Sequence, residues 1–264
     1  METFKERNQM IKKNERNKII RFIEETVKNA GKTGVVLGLS GGIDSALVAC
    51  LSAEALGTNN VFAISMPMGR YQTHELAIKQ ANLLEMHIWN AELDEALNVL
   101  CETFNNSQDN LRVGNIKARL RMITLYDYAA HGNCLVIGTE NLTEHLLGYC
   151  TKWGDQASDF EPVINFLKTE IYQLAQHYLD SGQLLDEIYR RAPSADLWEG
   201  QTDETELGLT YEEIDAYLRH KQLLLDVPEL AGQVYNHPDV KRKVEAQIAS
   251  TQHKHNTPSF IRTD

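Results

Sequence analysis

The chain has 264 residues, and its 26 Lys plus Arg against 37 Asp plus Glu leave a formal charge of −11. That length allows one domain or at most two, and the acidic balance argues against nucleic acid as a partner, because a phosphate backbone is held mainly by Lys and Arg. A composition of 42% hydrophobic and 24% charged residues excludes a disordered or fibrous chain.

In chain order, Ile19, Ile20, Ile23 and Val27 recur at helical spacing and predict an amphipathic helix over 5–29, ending near Gly31. GVVLGL, from Gly34, reads as a buried strand, SALVACLSAEAL as a helix, and Val61 to Ser65 as a second strand followed by a polar turn. HELAIKQANLLE is helical, HIWNAEL a weaker strand, DEALNVLCETF and NIKARLRMITLYDYAA helices, and CLVIGT a strand that runs into a loop at Glu140. LKTEIYQLAQHYL places Ile171, Leu174, Ala175 and Tyr178 on one helix face, and Thr210 with Glu213 forms a capping box before YEEIDAYLRHK. Between them, residues 190–207 carry few apolar side chains and many turn formers, which predicts a functional or mobile loop. The tail, QHKHNTPSFIRTD, is expected to order only when something binds it. Alternating strands and helices predict the α/β class, a Rossmann-like, doubly wound parallel sheet flanked by helices. The four cysteines, Cys50, Cys101, Cys134 and Cys150, form no C-x-x-C pair and read as reduced small hydrophobes. With a charged N-terminus and no apolar run near the ~20 residues that span a bilayer, the expectation is a soluble, cytoplasmic protein with no membrane partner.

The strongest chemical signal is LGLSGGIDSALVACL, where a buried strand meets Ser40-Gly41-Gly42-Ile43-Asp44-Ser45 and passes directly into a helix. Two glycines there permit backbone angles closed to other residues, so successive N–H groups can point at one spot beside the positive end of the helix. Such a cradle suits pyrophosphate, with the Ser40 and Ser45 hydroxyls as further donors. It is neither the GK[ST] phosphate loop nor G-x-G-x-x-G, since Ile43 and Asp44 stand where Gly and Lys would be and Ser40 follows Gly38 by two. A carboxylate at Asp44 beside phosphates calls for a cation between them, and magnesium joins carboxylates to phosphate oxygens in this way.

SGG-x-DS after a strand resembles the loop of the ATP pyrophosphatases, of the adenine nucleotide alpha hydrolase-like fold, which split ATP into AMP and pyrophosphate. The blocks NIKARLRM, LVIGTENLTEHLLGYCTKWGD, SDFEPVINFLKTEIYQLA and PSADLWEGQTDETELGLTYEEID follow in order. Together they resemble the NAD synthetase family from about Lys18 to Lys254. That resemblance implies a carbon–nitrogen ligase of the last step of NAD biosynthesis. It would adenylate the nicotinate carboxylate of deamido-NAD with ATP and magnesium, then replace AMP by ammonia. Glutamine-using relatives carry an added amidase domain, and the synthetase core here begins near Gly34, so the expected donor is ammonia. One synthetase domain over 1–264 is expected, with a nucleotide-binding core over about 34–190 and C-terminal helices and tail over 208–264. The resemblance also implies a homodimer.

Position by position, the resemblance assigns the ATP phosphates to Gly38, Leu39, Ser40, Gly41, Gly42, Ile43, Asp44 and Ser45, and magnesium to Asp44 and Glu144. It assigns Thr139, Lys168 and Ser194 to ATP, Ser194 standing where relatives often have Thr. Deamido-NAD falls to Arg119, Lys152, Asp159, His253 and Lys254, with His255 and Asn256 following where relatives tend to have arginines. Asp44, Lys168 and Asp159 are the candidate catalytic groups, Asp159 as acceptor of the proton from ammonia. Two rivals share the loop: another ATP pyrophosphatase, which does not account for ADLWEGQTDE, and a non-catalytic nucleotide sensor, which has no need of both Asp44 and Glu144.

Overall fold

The computed structural model describes residues 4–69, 73–198, 200–226 and 235–255, without the side chains of 4–13 and 223–226. The polar turn at 70–72, Glu199 in the expected loop, and the tail from Asn256 onward lie outside the described residues.

Four strands make one parallel sheet: β1 (Val35–Gly38), β2 (Val61–Ser65), β3 (His87–Asn90) and β4 (Leu135–Val136), in the order β3-β2-β1-β4. Successive side chains point to opposite faces of a strand, so β1 feeds two cores. Val35 and Leu37 pack toward α1 (Phe4–Asn29), α2 (Ile43–Leu56) and α7 (Lys168–Asp180), whereas Val36 joins Val136, Ala129 and Leu125 under α5 (Asn110–Gly132). α2 lies between the sheet, α1 and α7, and residues 45–52 are buried without a break. A helix enclosed on several sides needs small or apolar residues all round, which SALVACLS supplies.

The expected elements form, with local differences. α5 begins at Asn110, five residues before the expected Asn115, because the Asp109 side chain caps it by accepting from Arg112 N at 3.0 Å. The CLVIGT strand is shorter than expected: only Leu135–Val136 belong to β4, and Ile137 bridges to Phe160. Directly after it stands a helix absent from the expectation, α6 (Leu142–Leu147). α8 (Asp186–Arg190) precedes the 190–207 segment, and that segment holds a short helix, α9 (Asp203–Leu207). α10 (Tyr211–Asp226) and α11 (Pro238–Thr251) pack with α6 through Leu147, Ile214, Leu218, Val240 and Val244. This third core carries the C-terminal helices to the carboxyl end of the sheet, where ligands bind in open α/β folds. Among the described residues, no helix is long and apolar enough to cross a membrane.

The approach of β1 to β2 leaves no room at Gly34, where a Cβ would stand 2.1 Å from the main-chain oxygen of Asn60. Gly34→Ala is therefore expected to lower unfolding free energy by about 1–3 kcal/mol, as overpacking does, in a urea titration; an unchanged midpoint would show that the strands separate there at no cost.

Candidate active site

The strand-to-helix loop is built from its own side chains. Gly41 has φ +81°, and a Cβ there would lie 2.5 Å from Thr73 O, so both the conformation and the space require glycine. Gly42 caps α2 with extended backbone and no side-chain cap, which leaves the amide end of that helix facing the cavity. The Ser40 and Ser45 hydroxyls, expected to receive phosphate, line the cavity and bond within the loop. They lie 3.0 Å apart; Ser45 Oγ accepts from Ser40 N at 3.2 Å, and Gly42 N donates to Ser40 Oγ at 3.2 Å.

Beside the loop a lysine ammonium is buried between two carboxylates. Lys168, the first residue of α7, is 2% exposed, and its Nζ donates to Asp44 Oδ2 at 2.5 Å and Glu144 Oε1 at 3.0 Å. Burial alone would lower the ammonium's pKa; the two carboxylates outweigh it and raise it. Glu144 moves up from 4.5 to about 8, since desolvation exceeds what Lys168 returns and Asp44 adds repulsion. The same Nζ lies 5.0 Å from the centroid of the Tyr211 ring. Tyr211 in turn donates its hydroxyl to Asp203 at 3.0 Å, and burial raises Asp203 against the pull of Lys168.

Two groups that sequence reasoning missed complete the cluster. Asn141 is wholly buried; its Nδ2 donates to Asp44 Oδ1 at 2.9 Å and its Oδ1 accepts from Glu144 N at 3.0 Å. It forms a capping box with Glu144, so the N-x-x-E spacing of Asn141-Leu142-Thr143-Glu144 was the available signal for both α6 and this residue. Asp203 stood in the acidic run of the expected loop, and nothing local marked it as facing Lys168.

Asp44, Glu144, Lys168, Thr139 and Ser194 line one cavity of about 270 Å³ that opens from the glycine loop. Ser194 Oγ donates to Gln201 O at 2.7 Å and accepts from Asp196 N at 3.1 Å, which folds the 190–207 segment over the cavity. Lys117 Nζ on α5 fastens it through Leu197 O at 2.7 Å.

The residues assigned to the dinucleotide form a second group outside that lining. Arg119 donates to Lys152 O at 3.1 Å, and Lys152 Nζ to His253 O at 2.9 Å. Lys254 Nζ donates to Gly148 O at 2.8 Å and Cys150 O at 2.7 Å, at the end of α6. Asp159 is exposed and spends one oxygen on Val136 N at 2.8 Å. It does not line the cavity, whereas Val136, whose N–H it accepts, does.

Two carboxylates with hard oxygen donors suit a divalent cation only in company with phosphate oxygens and water. Among the described residues no group of three or more His, Cys, Asp or Glu could hold a metal by itself. Burial raises the Glu144 pKa against the pull of Lys168, so a divalent charge brought beside it would favour its ionised form. The residues therefore fit a cation that arrives with a nucleotide.

A family model described as NAD synthase matches residues 15–258. The chain is 42% identical over 255 residues to an NH(3)-dependent NAD(+) synthetase of Mycoplasma genitalium, covering 91% of this chain and 94% of that protein. Among solved structures, an NMN synthetase from Francisella tularensis superposes with a TM-score of 0.83 at 31% identity, covering 96% of this chain and 99% of that one. An NH3-dependent NAD synthetase from Campylobacter jejuni, in complex with the nitrate ion, gives 0.77 at 35% identity over 95% and 99%.

The Glu144 environment sets a pH dependence of stability. Its folded pKa lies above the unfolded value, so its contribution is fully present below about 4.5 and is lost as pH rises through about 8. Glu144→Gln is expected to melt at a higher temperature than wild type at pH 8.5, with the gap closing toward pH 4.5; a variant that melts lower at pH 8.5 would reverse this account.

Proposed function

The chain belongs to the NAD synthase family, and on that premise we propose that it converts deamido-NAD, ATP and ammonia into NAD, AMP and pyrophosphate. The observation that carries this reading is the Lys168 ammonium buried between Asp44 and Glu144 at the mouth of the glycine loop. A nicotinate carboxylate is a resonance-stabilised anion whose oxide is too poor a leaving group for ammonia to displace. Attack of that carboxylate on the alpha-phosphate of ATP releases pyrophosphate and leaves a mixed anhydride. Ammonia then attacks the acyl carbon, the proton is lost, and AMP departs.

The roles follow from charge and reach. The loop over Gly38 to Ser45, with the main-chain amides of Ile43, Asp44 and Ser45 in the first turn of α2, suits the departing pyrophosphate. Lys168 offsets repulsion between the carboxylate and the phosphates, an effect that grows where water is excluded. Thr139 and Ser194 line the cavity within reach of the rest of the nucleotide. Asp44 and Glu144 would hold magnesium, which when bound neutralises phosphate charge. Arg119, Lys152, His253 and Lys254 form the dinucleotide surface, and Asp159 keeps one oxygen for it. Asp159 is carried as a dinucleotide contact and as the candidate acceptor of the proton from ammonia.

A dinucleotide has to reach from that outer surface to the cavity, and a homodimer whose partner covers the outer surface would enclose it. Residues 1–264 are read as one synthetase domain. The four free thiols suit a reducing compartment, and we take the cytoplasm as the place of work. A second reading, amidation of the nicotinate mononucleotide, is favoured by the likeness to the Francisella NMN synthetase.

The deciding assay offers deamido-NAD and nicotinate mononucleotide separately, with ATP, magnesium and ammonium, and follows amide product, AMP and pyrophosphate. NAD from deamido-NAD with equal AMP is the expected result; turnover of the mononucleotide alone would replace it with the second reading. Ammonium should sustain turnover and glutamine without ammonia should not, and glutamine-driven turnover would refute the donor. Asp44→Asn should cut pyrophosphate release by about 100-fold or more with an unaltered circular dichroism spectrum; near-normal release would remove Asp44 from the reaction.

A further inference from the structure

Lys168 owes its position to residues that do not touch the cavity. It opens α7, and the first main-chain amides of a helix have no acceptor within it. Leu167, in the capping position, supplies no side-chain acceptor. The acceptors come from two other helices: Lys168 N donates to Thr143 Oγ1 on α6 at 2.9 Å, and Thr169 N donates to Asp215 Oδ2 on α10 at 2.8 Å. The Thr143 hydroxyl then donates to Asp215 Oδ1 at 2.5 Å. Thr143 and Asp215 are both 0% exposed, and neither lines the cavity.

We propose that Asp215, with Thr143 as its relay, is a positioning residue of the reaction, capping α7 from α10 and α6 and so fixing Lys168 and Glu144 against Asp44. The proposal rests on the synthetase reading for its chemistry and on this bond network for its geometry. One carboxylate takes both oxygens' worth of donors from the two elements that carry the functional side chains. Thr143 adjoins Glu144 in the chain, so the bond that holds Lys168 N also holds the helix from which Glu144 projects. A carboxylate at a helix N-terminus is favoured by the helix dipole. Asparagine at 215 would turn an NH2 group toward one of the two donors and leave that pair unmade. The ammonium has little tolerance for such a shift, because its partners stand at 2.5 and 3.0 Å and a misplacement of about 1 Å can cost on the order of 100-fold in rate.

The test compares Thr143→Val, which keeps the shape and removes the hydroxyl, with Thr143→Ser, which keeps the hydroxyl. Each is titrated calorimetrically with magnesium and α,β-methylene-ATP, assayed for kcat and KM with ATP, deamido-NAD and ammonium, and melted. Thr143→Val is expected to weaken nucleotide binding about 10-fold and to lower kcat by about 10- to 100-fold, with Thr143→Ser within about 3-fold of wild type. Asp215→Asn should follow Thr143→Val; if it does not fold, the two Thr143 variants decide alone. A lowered melting temperature of Thr143→Val with wild-type nucleotide affinity and kcat per folded molecule would overturn the proposal, as would Thr143→Ser failing as badly as Thr143→Val. The titration needs no dinucleotide, so a wild type that makes no NAD would sink the synthetase reading while leaving this comparison intact.

Discussion

Taking an ammonium group out of water is costly, and at Lys168 the cost is offset by two carboxylates that reach it from α2 and α6. Buried ion pairs seldom add net stability compared with well-packed apolar residues, so this one is better understood as a functional constraint than as a brace. Three elements must meet at one point for it to exist: the first turn of α2, the capped start of α6 and the first residue of α7. Each depends on the others, because the ammonium and its two partners are carried on different helices. Glu144 bears the cost of burial as a raised pKa, with Asp44 adding repulsion.

The loop beside this cluster is held by bonds among its own hydroxyls and amides before any nucleotide arrives. Such pre-organisation lowers the ordering cost of binding. The chain segment over the cavity is secured by Lys117 and by the internal bonds of Ser194, while Tyr211 and Asp203 connect it electrostatically to Lys168. The charge of Lys168 and the placement of the segment are thus linked through one aromatic ring and one carboxylate.

Much of the architecture was legible in the pattern of residues. Val35 to Gly38 and Val61 to Ser65 announce buried parallel strands because they are short, apolar and β-branched, and α2 follows because nothing in SALVACLS can face water on one side alone. The helix at 142–147 was hidden, being too short for periodicity to show; only its capping spacing gave a sign. The CLVIGT strand is shorter than its apolar run for a related reason: apolar character marks burial, whereas β4 pairs with β1 only through Leu135 and Val136, and Ile137 bridges to Phe160 while β1 runs on to Gly38. Asp159 was placed by its neighbours in sequence, and in the folded chain its carboxylate turns to the main chain of β4.

The amino-acid sequence alone determined the strand–loop–helix cradle at 38–45, since its glycines, serines and acid act within a single turn, where local sterics dictate backbone geometry. It also carried the alternation that builds the sheet. Tertiary structure decided which distant groups share a charge: Asp44 and Lys168 lie 124 positions apart and Thr143 and Asp215 lie 72 apart. Side-chain identity records neither direction nor neighbours across such separations, and only the packing of α6, α7 and α10 against one another brings these atoms within hydrogen-bonding distance.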